Sequence, residues 1–180
     1  GHRFTLLKKS SLGIDCSARS TGIVSLTSAH QYSFTLITPK KLQEGSRLEF
    51  IYDAANEFLR GKKIDLAVME APSYNSTNRP FTLGEIHGVL KLVLQRHDIP
   101  LIGVAPKALK KYATGKGTAS KQDVCKVAQA NGCPEPQYDV TDAWVAAMAG
   151  LDVLLDRCST ELRASYEVVF NLQEKYKCLS

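Results

Sequence analysis

Four acidic residues stand where chemistry could bring them together. Asp15 falls near the end of the apolar run 11–16 (SLGIDC), and Glu70 follows the apolar stretch 64–69 (IDLAVM). Asp139 and Asp142 head an alanine-rich segment. Residues three apart on a helix share a face, so one helix can present the last two together. If the two strand ends are neighbours, all four carboxylates converge. Such charges repel strongly in a site of low dielectric. Divalent cations resolve the conflict. Oxygen ligands suit Mg²⁺, which keeps several waters and takes its remaining ligands from a substrate phosphate. Two such ions roughly 3.5–4 Å apart can activate a water and stabilise a leaving oxygen in phosphodiester hydrolysis.

Each acid also has a plain structural reading. Asp15 could be a turn residue. Asp139 could N-cap the last strong helix, a common role for Asp. Asp142 could be favourable first-turn charge. Glu70 is harder to dismiss, because a buried strand running into Glu-Ala-Pro needs some partner for its carboxylate. Spacing alone leaves the metal site and these readings open.

The elements that must position the acids follow from periodicity. Residues 11–16, 21–27 and 31–38 are rich in β-branched and aromatic types and read as three antiparallel strands, the last two joined by a hairpin at 28–30. Residues 44–60 carry Leu48, Ile51, Tyr52, Ala55, Phe58 and Leu59 at helical spacing, with Gly61 as a stop. The run 64–69 is apolar on both faces, as expected of a central strand. Residues 72–80 read as a loop, 82–97 as a second helix and 100–104 as the fifth strand. A short helix is expected at 109–112, a glycine-broken loop at 115–118, a helix at 120–130 and the last strong helix over 139–155. The stretch 165–176 reads as either a helix or a strand. The order predicts an α/β fold: a mixed five-stranded sheet, three antiparallel strands then two parallel, flanked by helices on both faces.

The chain's 180 residues suggest one domain over 3–180, with 156–180 as an extension carrying no assigned motif. Gly1 and His2 resemble an expression-vector remnant and are left out of the fold reading. No apolar run approaches the roughly 18 residues of a membrane span. No secretory signal is visible, and the expected location is the cytoplasm of a bacterial or phage-infected cell. The net charge is +5, from 23 basic and 18 acidic residues, which fits an anionic partner such as nucleic acid. The five cysteines are odd in number and show no C-x-x-C spacing, so reduced thiols are expected. None of the four His lies in a motif that suggests a catalytic base.

The order of motifs adds to this reading. Gly13-Ile14-Asp15-x-Ser17-x-x-x-Thr21-Gly22, Ala67-Val68-Met69-Glu70, Leu83-Gly84-Glu85-x-x-Gly88-Val89, Gly115-Lys116-Gly117-Thr118-Ala119-Ser120-Lys121-x-x-Val124 and Asp139-Val140-Thr141-Asp142-Ala143 occur in that sequence. Together they resemble the RuvC family of Holliday junction resolvases, within the RNase H-like superfamily. The resemblance runs from about Leu12 to Gly150. It implies a metal-dependent endonuclease acting on branched DNA, above all the four-way junction. Asp15, Glu70, Asp139 and Asp142 would bind two Mg²⁺ ions, with Mn²⁺ able to substitute. Lys121 and Lys110 would stand by the scissile phosphate. The plain alternative for both lysines is solvated surface charge.

The resemblance also implies a homodimer joined through the helix holding residues 83–94, whose apolar side chains could equally be intrachain core. Arg79, Lys107, Lys111 and Lys116 are candidate DNA-backbone contacts. The loop at 72–79 departs from bacterial members, which place an aromatic residue there to engage bases. Tyr74 is the candidate for that role, or an ordinary loop tyrosine. A nuclease for forks, flaps or RNA–DNA hybrids, and an inactive branched-DNA-binding module, are the alternatives. No nucleotide cofactor is expected, because Gly115-Lys116-Gly117-Thr118 lacks the GxxxxGK[ST] pattern.

Overall fold

The computed structural model describes residues 7–71 and 80–168. The chain opens with a meander of three strands: β1 (Ser10–Cys16), β2 (Thr21–Thr27) and β3 (Tyr32–Ile37). Helix α1 (Glu44–Leu59) then crosses over to β4 (Leu66–Glu70), and α2 (Pro80–Arg96) crosses over to β5 (Leu101–Val104). Helices α3 (Pro106–Thr114), α4 (Lys121–Ala130), α5 (Tyr138–Leu154) and α6 (Thr160–Ser165) follow, and β6 (Tyr166–Val168) ends the described chain. The sheet order is β3-β2-β1-β4-β5-β6. β1 is antiparallel to β2, β2 to β3, and β1, β4 and β5 run parallel. No helix among the described residues is long and apolar enough to cross a membrane.

The mixed five-strand core is the one the sequence predicts. The sixth strand is an addition: β6 pairs antiparallel with β5, matching Val104 to Tyr166 and Ile102 to Val168. It covers an edge that would otherwise leave backbone groups unpaired. Of the segment 165–176, open between helix and strand in sequence, Ser165 ends α6, Tyr166–Val168 form the strand, and 169–176 lie outside the described residues. Helix α3 begins at Pro106, three residues before the expected 109. Proline at the first helical position loses no hydrogen bond and its φ is already helical, so it opens the helix.

Alternation along the strands sorts the two faces. Leu12 and Ile14 of β1, with Ala67 and Met69 of β4, pack under α1 and α2 against Ile51, Ala55, Ile86, Leu90 and Leu94. Those α2 residues are intrachain core. Leu66 and Val68 of β4 face the other way, with Ala146, Ala149 and Val153 of α5. By the same period Ser11, Gly13 and Asp15 share the α5 side of β1, and Glu70 shares it on β4. The parallel register pairs Gly13 with Val68 and Ile14 with Met69, so its continuation sets Asp15 beside Glu70.

Helix α5 lies directly on that face because both surfaces are nearly bare. Its buried residues include Ala143, Ala146, Ala147, Ala149 and Gly150. A Cβ added to Gly13 would fall 1.9 Å from the Ala143 carbonyl oxygen and 2.5 Å from the Ala147 nitrogen. One added to Gly150 would fall 2.1 Å from Ser11 Oγ. Backbone cannot yield as a flexible side chain can. Gly13→Ala is therefore expected to cost about 3 kcal/mol or more. Gly45→Ala, with nothing within 4 Å of its added Cβ, should change stability by about 1 kcal/mol or less. Urea denaturation of the two variants checks the contrast, and equal midpoints would show that α5 can shift off β1.

Candidate functional site

The four acids sit on three elements that this packing brings together. Asp15 is the penultimate residue of β1 and is 7% exposed. Glu70 is the last residue of β4 and half-buried. Asp139 and Asp142 lie on the first turns of α5. All four line one cavity of about 190 Å³ with Lys110, Lys121, Cys16 and Ser17. The structure also decides between readings of Asp139. The N-cap of α5 is Gln137, with no side-chain capping bond, so the Asp139 carboxylate is not spent as a cap. It accepts a hydrogen bond from the Ser20 hydroxyl instead.

The two lysines reach the cavity from α3 and α4. Lys110 is on α3, which Gly115 ends in the left-handed conformation, φ 83°. Only glycine adopts that without strain, so the 115–118 loop is a helix stop and restart. Ser120 then caps α4: its Oγ accepts from the Asp123 N–H at 3.1 Å, while its own N–H donates to Asp123 Oδ2 at 3.2 Å. Lys121, the next residue, is left free to line the cavity, with Nζ 5.8 Å from the Tyr138 ring centroid. Lys107, Lys111 and Lys116 are exposed and do not line it. Lys111 pairs with Glu161 of α6 at 3.2 Å. Tyr74 and Arg79 lie outside the described residues.

Sequence reasoning gave Ser17 a place in a motif but no role, and passed over Ser20. They form the turn between β1 and β2, where Ser20 N–H donates to Ser17 Oγ at 3.1 Å. The signal was present: two serines three apart between strands is a spacing at which hydroxyls close turns. Arg47 of α1 braces the same turn by donating to the Ala18 carbonyl.

Burial and mutual repulsion dominate the electrostatics. Burial pushes the Asp15 carboxyl well above the ordinary carboxylate range, and the charges of Asp142, Glu70 and Asp139 push it further. Burial also raises Glu70, against a hydrogen bond from Asp15 and the pull of Lys121 and Lys110. Asp142 is pushed up to about 6, by burial first, with Lys121 pulling down and Glu70 and Asp139 pushing up. Burial and the Asp15 charge hold the Cys16 thiol protonated, so it offers no thiolate. The donors are thus hard oxygens carrying more negative charge than the two lysines offset, which fits a hard divalent cation. No three His, Cys, Asp or Glu side chains among the described residues make a ready-made ion cage.

A carboxyl raised in the folded state binds more protons folded than unfolded. The stability it contributes is full below the unfolded value and is lost as pH rises through the folded one. For Asp142 that loss sets in above the ordinary value of 3.8 and is complete above about 6. Asp142→Asn is therefore expected to raise the metal-free Tm at pH 8 by about 2–4 °C, the shift that about 1 kcal/mol gives in a domain of this size. At pH 4 the gain should vanish. Calorimetry at both values checks it, and a variant no more stable than wild type at pH 8 would show that Asp142 is not held in a repulsive cluster.

Residues 11–149 match the family described as crossover junction endodeoxyribonuclease RuvC. A curated relative of that name from Ehrlichia ruminantium (strain Welgevonden) is 33% identical over 149 residues, covering 76% of this chain and 92% of the relative. Another from Carboxydothermus hydrogenoformans is 31% identical over 123 residues, covering 66% and 77%. Among solved structures, T. thermophilus RuvC in complex with a Holliday junction substrate matches with a TM-score of 0.70 at 16% identity, covering 83% of this chain and 95% of that one. At that identity the likeness speaks for the fold, and the fold is RNase H-like. The profile match and the close relatives speak for the family: this chain belongs to the RuvC family of crossover junction endodeoxyribonucleases.

Proposed function

We propose that this protein resolves four-way DNA junctions by divalent-metal-dependent hydrolysis of phosphodiesters, with Asp15, Glu70, Asp139 and Asp142 as its metal ligands. One observation carries the reading: four carboxylates from β1, β4 and α5 line a single cavity together with Lys110 and Lys121. The solved relative bound to a Holliday junction supports the choice of substrate.

The ion we assign is Mg²⁺, two per site, with Mn²⁺ as a substitute. Bound there, the ions would generate the attacking hydroxide and offset charge on the leaving oxygen. The protein's own groups do the rest. The carboxylates orient what enters the cavity, and the raised Asp15, Glu70 and Asp142 must give up their protons to do so. Lys121 and Lys110 face the phosphate and offset charge developing on its oxygens. The walls formed by Ile14, Leu109 and Val145 limit water around the reacting groups. Lys107 and Lys116 extend the contact along the DNA backbone, and Tyr74 and Arg79 are assigned to the same contact from their sequence alone. Lys111 would join them only by exchanging Glu161 for a phosphate.

A homodimer would supply two such sites for the paired strands of a junction. The face of α2 turned away from the core fits that role. Phe81 is 87% exposed there, Leu92 is exposed, and Gly84 and Gly88 have open space where a Cβ would stand. The location that fits this activity is the bacterial cytoplasm.

A synthetic four-way junction, incubated with and without Mg²⁺, tests the proposal directly. Symmetric paired nicks that require the ion are expected. Asp15→Asn should lower cleavage at least about 100-fold while junction binding by gel shift persists. Full cutting by that variant would remove Asp15 from the mechanism. Cleavage confined to RNA–DNA hybrids would reject the junction as substrate.

A further inference from the structure

The turn between β1 and β2 carries a hydroxyl that the turn does not need. Ser17 N–H and Ser17 Oγ both donate to the Ser20 carbonyl, at 2.9 and 3.0 Å, and Ser20 N–H donates back to Ser17 Oγ at 3.1 Å. Arg47 fastens the turn to α1 through the Ala18 carbonyl. None of these bonds uses the Ser20 side chain as donor. Its Oγ lies 3.4 Å from Ser17 Oγ, a marginal contact, and donates to Asp139 Oδ2 across 119 residues of sequence. The approach is fixed from below as well: a Cβ on Gly22 would fall 2.2 Å from the Asp139 carbonyl oxygen, so β2 is pressed against the first turn of α5.

We propose that Ser20 is a positioning residue for Asp139, pinning one carboxylate oxygen so that the other is held ready for a divalent cation in the cavity. The inference rests on the proposed role of Asp139 as a ligand. An aspartate at the start of a helix, not spent as a cap, can rotate among staggered positions. A hydrogen bond to one oxygen removes that freedom before the ion arrives. Partners of this kind orient the ligand without touching the metal, and losing one typically costs 10- to 100-fold in metal affinity or activity. Thr would keep the hydroxyl. Ala would remove it and leave all three bonds of the Ser17–Ser20 turn in place.

The test is calorimetric titration of the full chain with Mn²⁺ alone, without DNA. Ser20→Ala should raise the Mn²⁺ Kd about 10-fold, with an unchanged metal-free Tm. Ser20→Thr should bind within about 3-fold of wild type, since it retains the donor. The Mn²⁺ concentration giving half-maximal junction cleavage should move in parallel. Wild-type affinity in Ser20→Ala would overturn the role of Ser20 while leaving the metal site standing. Wild-type protein that binds no Mn²⁺ would overturn the metal site and this inference with it.

Discussion

Everything at the site depends on how closely α5 can lie on β1. No side chain intervenes where Gly13 meets the Ala143 carbonyl, and Gly150 lets the helix close onto the Ser11 and Val68 side chains. Dispersion and burial act at full strength at that distance, and a carbon added at Gly13 would clash with backbone. The contact also sets the chemistry. Two residues beyond Gly13 on the same face of β1 stands Asp15, and one residue before Ala143 stands Asp142. The close approach of a strand and a helix therefore brings two carboxylates together, and the parallel pairing of β1 with β4 adds Glu70. A bulkier helix would stand off the sheet, and the acids would face solvent separately.

That arrangement runs against the fold's own stability. Buried carboxylates that repel one another prefer to hold protons, as the raised Asp15, Glu70 and Asp142 values show. Near neutral pH the chain keeps these groups together through the apolar packing on both faces of the sheet. Sites that bind cations often cost stability when empty, because the same oxygens that attract the ion repel each other. The adjoining contacts are correspondingly firm. Ser17 and Ser20 bond to each other, Arg47 ties their turn to α1, and Ser120 and Asp123 cap α4 reciprocally just before Lys121.

Much of this was legible in the sequence, for reasons that can be named. The strands showed through β-branched runs, and α5 through its alanines and the three-residue spacing of its acids. Asp15 and Glu70 were readable because each closes an apolar run. What escaped reading depended on contacts between distant segments. The bond from Ser20 to Asp139 spans 119 residues, and no local pattern encodes it. The ion pair from Lys111 to Glu161 depends on α6, a six-residue helix too short to leave a periodic signal. β6 was ambiguous because three residues are too few to show alternation, and its partner β5 supplies the pairing. Periodicity put the apolar residues of α2 on one side without saying whether this chain or a second copy covers them. Only the fold shows Ile86, Leu90, Val93 and Leu94 turned inward and Phe81 and Leu92 outward.

The charge distribution bears on how such a site could receive DNA. The chain as a whole carries a formal charge of +5, yet the cavity is lined by four carboxylates and two lysines. An anionic phosphate would be drawn toward the protein and then repelled at the one place where it must react. On the proposed reading the exposed Lys107 and Lys116 favour the approach, an effect that salt screens. They do not cancel the local field, because short-range repulsion in a buried cavity is screened far less than attraction at the surface. Added cationic charge inside the cavity is then a condition for phosphate entry, as well as for chemistry afterwards. On the proposed reading, a protein without bound divalent ions would hold DNA by its periphery and keep the phosphodiester out of reach of Lys110 and Lys121. On that reading binding and cleavage are separable, since the lysines proposed to attract the backbone and the residues that line the cavity belong to different sets.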